Sequence, residues 1–396
     1  QLIFVYNLAI FGAASAASIF GAQYFGKGDH KGHMYSFRFK LYATLLVTVI
    51  AMILFASRGS QLISLYLTDT TGSGATEVAL KYGLQYLTVM LFGLIPFAVN
   101  QSYATNIKET GQTMVPMIAS FVAVGSNAVL DYLLIFGIGP FPKLGVVGAA
   151  LATVLARYIE AGIVILWAHT HQTKNRYLEG AYTGFGIPLA ELKAILIKGF
   201  PLMMNEVLWA AGMTTVTQCY SVRGLNVVAG LNIASTITNL FNIVYLQLGS
   251  CISIVVGQYL GAGKLEDAKD ADNKMIVFSV FCCVIMAALM FVVGGFFPGI
   301  YNTTEEIREL ATSFIAVSAI IMPFCAFSHA SYFTLRSGGK TVVTFLFDSV
   351  FTWVIVVPAA YLLAHFTGLG IVSIYFLVQG TELIKVIIGY LMVKSN

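Results

Sequence analysis

Apolar stretches long enough to cross a lipid bilayer recur along the whole of this sequence. A helix needs about 20 apolar residues to span about 30 Å of hydrocarbon at a rise of about 1.5 Å per residue. Only 10% of the 396 residues are charged, against about 25% in soluble domains. Runs of this length suit helices better than the shorter strands of membrane barrels. The sequence therefore predicts an all-α protein that crosses a membrane many times.

Eleven membrane spans are predicted, separated by short polar segments. Their ranges are 2–25, 39–67, 81–105, 113–138, 145–168, 193–221, 226–259, 275–300, 308–335, 341–365 and 369–393.

Basic side chains between the spans are unevenly divided between the two faces of the membrane. Alternating loops place fifteen Lys and Arg residues on one face and five on the other. Because cytoplasmic loops carry the excess of basic residues, we expect the C-terminus in the cytoplasm. The net charge of +4 then requires no nucleic-acid partner, and the lipid bilayer is the partner expected.

Two segments of similar sequence mark an internal repeat. "GAQYFGKGDHKG" occupies residues 21–32, and "VGQYLGAGKLED" occupies residues 256–267, at an offset of 235. Further identities precede both segments, for example Asn7 with Asn242. We interpret the glycines as allowing tight chain reversals rather than as binding a ligand. The repeat indicates two halves of one design.

The number of spans between the two segments fixes the relation of the halves. Six spans is an even number, so the halves have the same orientation, an arrangement typical of transporters. We predict an N-terminal lobe at 1–170, a cytoplasmic linker at 171–192 and a C-terminal lobe at 193–396. The second half has six spans and the first has five, so we expect one further span before residue 1.

Four histidines lie between or beside predicted spans without a neighbouring carboxylate or cysteine cluster. They are His30, His33, His169 and His171. We predict solvated loop positions for them rather than a metal site.

Four motifs resemble those of the multidrug and toxic compound extrusion (MATE) transporters. "QYFGKGD" and "GQYLGAGKLEDAK" are similar to the loops after that family's second and eighth helices. "GFPLMMNEVLWAAG" at 199–212 and "SNAVLDYLLIFG" at 126–137 resemble parts of its seventh and fifth helices. The resemblance implies an export antiporter of two six-helix lobes, with the eleven spans here as its second to twelfth helices. It also implies inward Na⁺ or H⁺ flow that expels amphipathic, often cationic compounds.

Asn127 and Asp131 are four residues apart, so both lie on one face of a predicted helix. An amide oxygen beside a carboxylate suits Na⁺ or a titrating proton. In the resembled family such a pair belongs to a cation site of the N-terminal lobe, completed by a threonine that we match to Thr153. The alternative for Asp131 is a carboxylate near the outer membrane surface.

Glu206 lies about two turns into an otherwise apolar predicted span. A carboxylate at such depth is costly and is a functional candidate by default. A proton or Na⁺ that exchanges with a cationic drug on this carboxylate would couple the two flows. The alternative is an ion pair with Lys198 near the membrane surface.

Asp348 is a second candidate for cation coupling, with an interfacial position as the alternative. One branch of the family places its second C-lobe carboxylate after a proline, where "MPFCAFSH" here has Cys325. We predict structural pairing of Arg157 with Glu160 and of Glu382 with Lys385, since each pair is three residues apart.

Aromatic, methionine and amide side chains are candidates for a substrate cavity, because such surfaces adapt to varied ligands. They are Tyr6, Phe92, Asn205, Trp209, Met213, Phe241 and Tyr245. Packing between helices or against lipid is the alternative for each of them.

We therefore predict a monomeric antiporter that exports organic cations by alternating access, with Na⁺ or H⁺ as the coupling ion and no cofactor. A lipid-linked oligosaccharide or polysaccharide flippase of the same superfamily is the alternative, and it would carry basic residues along its cavity. An enzyme is not indicated, since the sequence has no nucleophile constellation or His/Asp metal cluster.

Overall fold

A computed structural model describes residues 2–64 and 72–395, with side chains from residue 77 onward in the second range. Within these residues, eleven helices are long and apolar enough to cross a membrane, which confirms the predicted number. They are α1 (Leu2–Lys27), α2 (His30–Ser64), α3 (Gly72–Glu109), α4 (Met114–Phe136), α5 (Val146–Thr170), α6 (Leu189–Ser221), α7 (Leu225–Gly261), α8 (Leu265–Gly294), α9 (Glu305–Ser337), α10 (Thr341–Phe366) and α11 (Ile371–Lys394).

Several helices extend beyond the ranges predicted from hydropathy. Helices α2 and α8 begin at His30 and Leu265, well before the predicted starts at 39 and 275. Their first turns are polar, and Glu266 and Asp267 lie where a helix N-terminus favours negative charge. The lengths of the apolar runs therefore located the membrane spans but underestimated the lengths of the helices. The predicted end of the second span, at 67, lies outside the described residues.

The chain divides into two compact units, Gln1–Leu196 and Ile197–Asn396, with the division inside α6. Each unit has the same internal packing order. In the first unit, α1 packs on α2 and α3, and α3 packs on α2 and α5. In the second unit, α7 packs on α8 and α9, and α9 packs on α8 and α11. The sequence repeat is thus matched by a repeat of helix packing within each unit.

The segment 171–192, which the sequence predicts as a linker, packs on the first unit. Arg38 on α2 donates hydrogen bonds to the backbone carbonyls of Gly180, Ala181 and Gly186, at 2.7 to 2.9 Å. In the same segment Tyr177 is almost fully buried, and this burial raises the pKa of its phenol well above the usual value. The guanidinium fixes the segment because it satisfies three carbonyls at once.

A buried polar cluster joins α2 to α3 in the first unit. The Lys40 ammonium lies 2.6 and 2.7 Å from the two carboxylate oxygens of Glu109, and it also donates to the Asn106 amide oxygen. His33 Nε2 lies 3.3 Å from Glu109 Oε2. The side chains of Lys40 and Glu109 are both 0% exposed. The attraction between the lysine and the carboxylate therefore offsets the cost of removing both charges from water.

His33 corrects the prediction of a solvated loop. It lies on α2, is 1% exposed and contacts the Tyr177 ring in a tilted arrangement with ring centroids 4.9 Å apart. The prediction failed because α2 starts at His30 and carries these polar residues into the packed interior. The second unit has a simpler link at the corresponding helices, since Thr334 on α9 donates to Asp272 on α8 at 2.5 Å.

Replacement of Lys40 by Met should destabilise the protein by about 3–5 kcal/mol, because it leaves the Glu109 carboxylate buried without its cation. The double variant Lys40→Met/Glu109→Gln should recover most of this loss. Thermal melting of the purified protein in detergent measures both effects. Equal losses in the single and double variants would show that the two charges do not depend on each other.

Candidate functional site

A cavity of about 100 Å³ lies inside the second unit and holds most of that unit's buried charges. It is lined by Asn205, Glu206, Trp209, Leu246, Ser328, His329, Tyr332, Phe333, Arg336, Asp348 and Lys385. These residues come from α6, α7, α9, α10 and α11.

Helix α6 brings three of the predicted residues to the cavity. Asn205, Glu206 and Trp209 lie within one turn and line it together. Pro201 lies one turn earlier inside the same helix, where it lacks the N–H that would bond the carbonyl of residue 197. The predictions that placed Asn205, Glu206 and Trp209 together are consistent with this arrangement.

Helix α9 supplies a second wall, which the sequence reasoning missed. His329, Tyr332 and Arg336 are three and four residues apart, so they share one helical face. The Arg336 guanidinium lies 5.4 Å from the ring centroid of Phe333. This spacing of polar residues inside an apolar run was the signal available in the sequence. Arg336, predicted in a loop on the basic face, is instead buried on α9.

Phe333 reaches its place because α7 has no side chain at Gly249. A Cβ atom built at Gly249 would lie 2.3 Å from Phe333 Cδ2, which is closer than any real contact. This glycine therefore serves close helix packing rather than a special backbone conformation.

Helix α10 places Asp348 through an irregular stretch. Residues Leu346–Val350 and Thr352–Val356 form π-helical turns, which are frequent at functional sites. Asp348 Oδ1 accepts a hydrogen bond from Lys385 on α11 at 2.6 Å, and Oδ2 accepts one from Asn205 Nδ2 at 3.0 Å. Both carboxylate oxygens are therefore engaged by N–H donors.

Asn205 is itself held by the residue after Asp348. The Ser349 hydroxyl lies 2.7 Å from Asn205 Oδ1 and 2.8 Å from the Asn205 carbonyl oxygen. Lys385, Asp348, Asn205 and Ser349 thus form one network across α11, α10 and α6.

Glu206 differs from Asp348 in having no such partner. Among the described residues, it forms no hydrogen bond and no ion pair within 4.0 Å. Lys198, the alternative partner, instead donates to the Gly339 carbonyl at 2.7 Å. Arg336 and Asp348 line the same cavity, but neither forms an ion pair or hydrogen bond with Glu206 in the described part of the chain. Glu206 is thus the cavity carboxylate that remains open to a ligand.

The two predicted helical ion pairs are wrong. Lys385 pairs with Asp348, and Glu382 Oε1 is buried without a hydrogen-bond partner. Arg157 donates to the Gly93 carbonyl at 3.2 Å and lies over the Phe97 ring, while Glu160 accepts from Ser120 at 2.6 Å. A spacing of three residues would allow each pair, but Lys385, Arg157 and Glu160 instead contact residues on neighbouring helices.

Some predicted cavity residues lie elsewhere. Phe241 and Tyr245 belong to the hydrophobic core of the second unit, where Tyr245 packs on His329 at 4.6 Å between centroids. Met213 is 37% exposed and is not among the lining residues. Tyr6 is buried in the first unit and hydrogen-bonds with Thr48 and the Leu94 carbonyl. Phe92 is 65% exposed, which favours the alternative that its side chain packs against lipid.

The predicted cation residues of the first unit lie on adjoining helices. Asn127 and Asp131 lie on α4, which packs on α5. Asp131 Oδ1 and Asn127 Nδ2 are buried without hydrogen-bond partners. Thr153 on α5 donates to the Ala149 carbonyl at 3.0 Å, which leaves its oxygen lone pairs available. Over the described part of the chain, no group of three or more His, Cys, Asp or Glu residues can hold a metal ion.

Two repeated units of membrane-spanning helices, with a charged cavity inside one of them, define a polytopic membrane transporter. The MatE family model matches residues 1–133 and 201–362, which is more than half of the chain. The chain therefore belongs to the MatE family, and it is a transporter rather than an enzyme.

Two relatives carry the same name, probable multidrug resistance protein NorM. The protein of Thermotoga maritima is 23% identical over 376 residues, which are 94% of this chain and 78% of that relative. The protein of Oceanobacillus iheyensis is 27% identical over 285 residues, which are 72% of this chain and 63% of that relative. A crystal structure of MATE in the bent conformation matches with a TM-score of 0.85 at 20% identity, over 99% of this chain and 85% of that one. This likeness confirms the predicted fold class.

Asn205→Ala should cost about 1–3 kcal/mol of stability, because it removes a donor from buried Asp348 and an acceptor from Ser349. Gln218→Ala, on an exposed position of the same helix, is the matched control and should change little. Thermal melting of the two purified variants measures this difference. A loss of stability in Asn205→Ala no larger than that in Gln218→Ala would contradict the role of Asn205 in the network.

Proposed function

We propose that this transporter exports small amphipathic organic cations from the cytoplasm in exchange for an inward-moving cation. Its relatives are named as multidrug resistance proteins, which supports small-molecule drugs as substrates. We place it in the plasma (inner) membrane, as the resemblance to export antiporters implies, and the distribution of basic residues supports a cytoplasmic C-terminus.

The observation that carries this proposal is the carboxylate of Glu206. It lies in a cavity with the aromatic rings of Trp209, Tyr332 and Phe333. Aromatic faces attract organic cations, and this attraction grows when water is excluded. An unpaired carboxylate beside such rings provides both charge and apolar surface for an amphipathic cation.

Glu206 also provides a way to couple the two flows. A carboxylate that holds a proton has no net charge to offer an organic cation, so the two ligands compete for one group. In the alternating-access scheme, the outward-open protein releases the drug as the carboxylate takes up a proton. The return presents the protonated group to the cytoplasm, where a new drug displaces the proton.

A proton suits Glu206 better than Na⁺. Hard cations bind through several oxygen ligands at once. Around Glu206, both oxygens of Asp348 accept N–H donors, and Asn205 Oδ1 accepts the Ser349 hydroxyl. The cavity therefore has few free oxygens to complete a Na⁺ shell. Na⁺ is better served in the first unit by Asp131, Asn127 and Thr153.

Efflux tests the role of Glu206 directly. In proteoliposomes, Glu206→Gln should abolish efflux of a fluorescent organic cation under a proton gradient, because the amide can neither bind a proton nor carry a negative charge. Glu266→Gln, at an exposed position of α8, is the matched control and should transport normally. Full efflux by Glu206→Gln would remove this carboxylate from the mechanism.

Sodium binding tests the role of Asp131. The melting temperature of the wild-type protein should rise when Na⁺ replaces choline, since a ligand that binds only the folded state stabilises it. Asp131→Asn should lose this rise, while Asp270→Asn, at an exposed position, should keep it. An equal sodium response in all three proteins would exclude a site at Asp131.

The cavity also bears on the flippase alternative, which requires basic residues along the cavity. Arg336 and Lys385 do line it. Glu206 and Asp348 balance them, and Lys385 is paired with Asp348. While Glu206 is ionised, a phosphate-bearing lipid would therefore find no net positive charge. Movement of a labelled anionic lipid without any cation efflux would favour the flippase.

A further inference from the structure

Asp348 was expected to bind a coupling cation, but a positively charged side chain of the protein itself already lies beside it. The Lys385 ammonium lies 2.6 Å from Asp348 Oδ1, and the two side chains are 8% and 15% exposed. The ammonium also lies 5.4 Å from the ring centroid of Phe347. The pair is thus largely removed from water and held between α10 and α11.

The surroundings of this ammonium are those of a small cation site. Removal of the ammonium would free Asp348 Oδ1, and the same network contains the Asn205 amide oxygen and the Ser349 hydroxyl, each of which keeps a lone pair after their mutual hydrogen bond. Carboxylate, amide and hydroxyl oxygens are the ligands that hard cations prefer. A buried carboxylate that loses its partner must take up a proton or bind another cation, and Na⁺ can fill this role when protons are scarce.

We propose that Lys385 is a tethered counter-cation that occupies the position of a free monovalent cation at Asp348, so that removal of its ammonium creates a Na⁺ site there. The pair then contributes no exchangeable ion in the second unit, and Glu206 alone exchanges. This consequence for coupling rests on the proposed function, whereas the creation of an ion site does not.

Lys385→Met is the decisive variant, because methionine keeps the apolar stem and removes the ammonium. Binding of ²²Na⁺ to the purified full chain should increase by one ion per chain relative to the wild type. Comparison with the wild type cancels sodium bound elsewhere, including any at Asp131. The double variant Asp348→Asn/Lys385→Met has neither charge and should return to the wild-type level.

Two results would overturn the proposal. One is sodium binding by folded Lys385→Met that does not exceed that of the wild type. The other is extra binding that persists in the double variant, since the site would then not involve Asp348.

Loss of folding in Lys385→Met would also be informative. In that case Lys385→Ala is purified in Na⁺, in methylammonium and in the bulky cation N-methyl-D-glucamine. Recovery of folded protein in either small cation, but not in the bulky one, supports the proposal. Recovery in none of the three overturns it, because a free cation then cannot replace the ammonium.

These outcomes are independent of transport. If Lys385→Met gains a sodium ion but the wild type exports no organic cation, only the proposed function fails. If the wild type transports and Lys385→Met gains no ion, only the tethered cation fails.

Discussion

The cost of ionised groups in a membrane-spanning helix governs the arrangement of this protein. Each deeply placed charge must find a partner, neutralise itself or bind a ligand. Lys40 with Glu109 and Lys385 with Asp348 follow the first course. Of the two cavity carboxylates, Glu206 has no ion-pair partner among the described residues, so it is the one left to follow the second or third course. Within the cavity, the ion pair of Lys385 with Asp348 therefore leaves Glu206 as the carboxylate that can bind a ligand.

The two units share a packing order but differ in their buried polar groups. The first unit joins α2 to α3 through a lysine, a carboxylate, an amide and a histidine, whereas the second joins α8 to α9 through Asp272 and Thr334. In turn, the cavity with two acids and two bases belongs to the second unit. A repeated scaffold therefore carries different chemistry in each half, as expected when the repeat specifies apolar packing and the polar residues diverge.

Sequence reasoning predicted the spans, the repeat, the family and the position of Glu206 inside a membrane-spanning helix, because apolar length and local motifs carry that information. It did not predict contacts between distant helices. Lys385 was assigned to Glu382 on its own helix, but it pairs with Asp348 on the neighbouring helix α10. His33 was assigned to a solvated loop because hydropathy does not show that a polar helix end is covered. The partner and the burial of such side chains depend on contacts between helices that are distant in the sequence, and the spacing of residues within one helix does not reveal these contacts.

The central claim is that a proton and an organic cation compete for the carboxylate of Glu206. The most direct test is proton release on addition of tetraphenylphosphonium to the purified, weakly buffered protein. The account predicts proton release that saturates with ligand binding and that disappears when Glu206 is replaced by Gln. Saturable binding to the wild-type protein without proton release, at every pH at which the protein is folded, would contradict it.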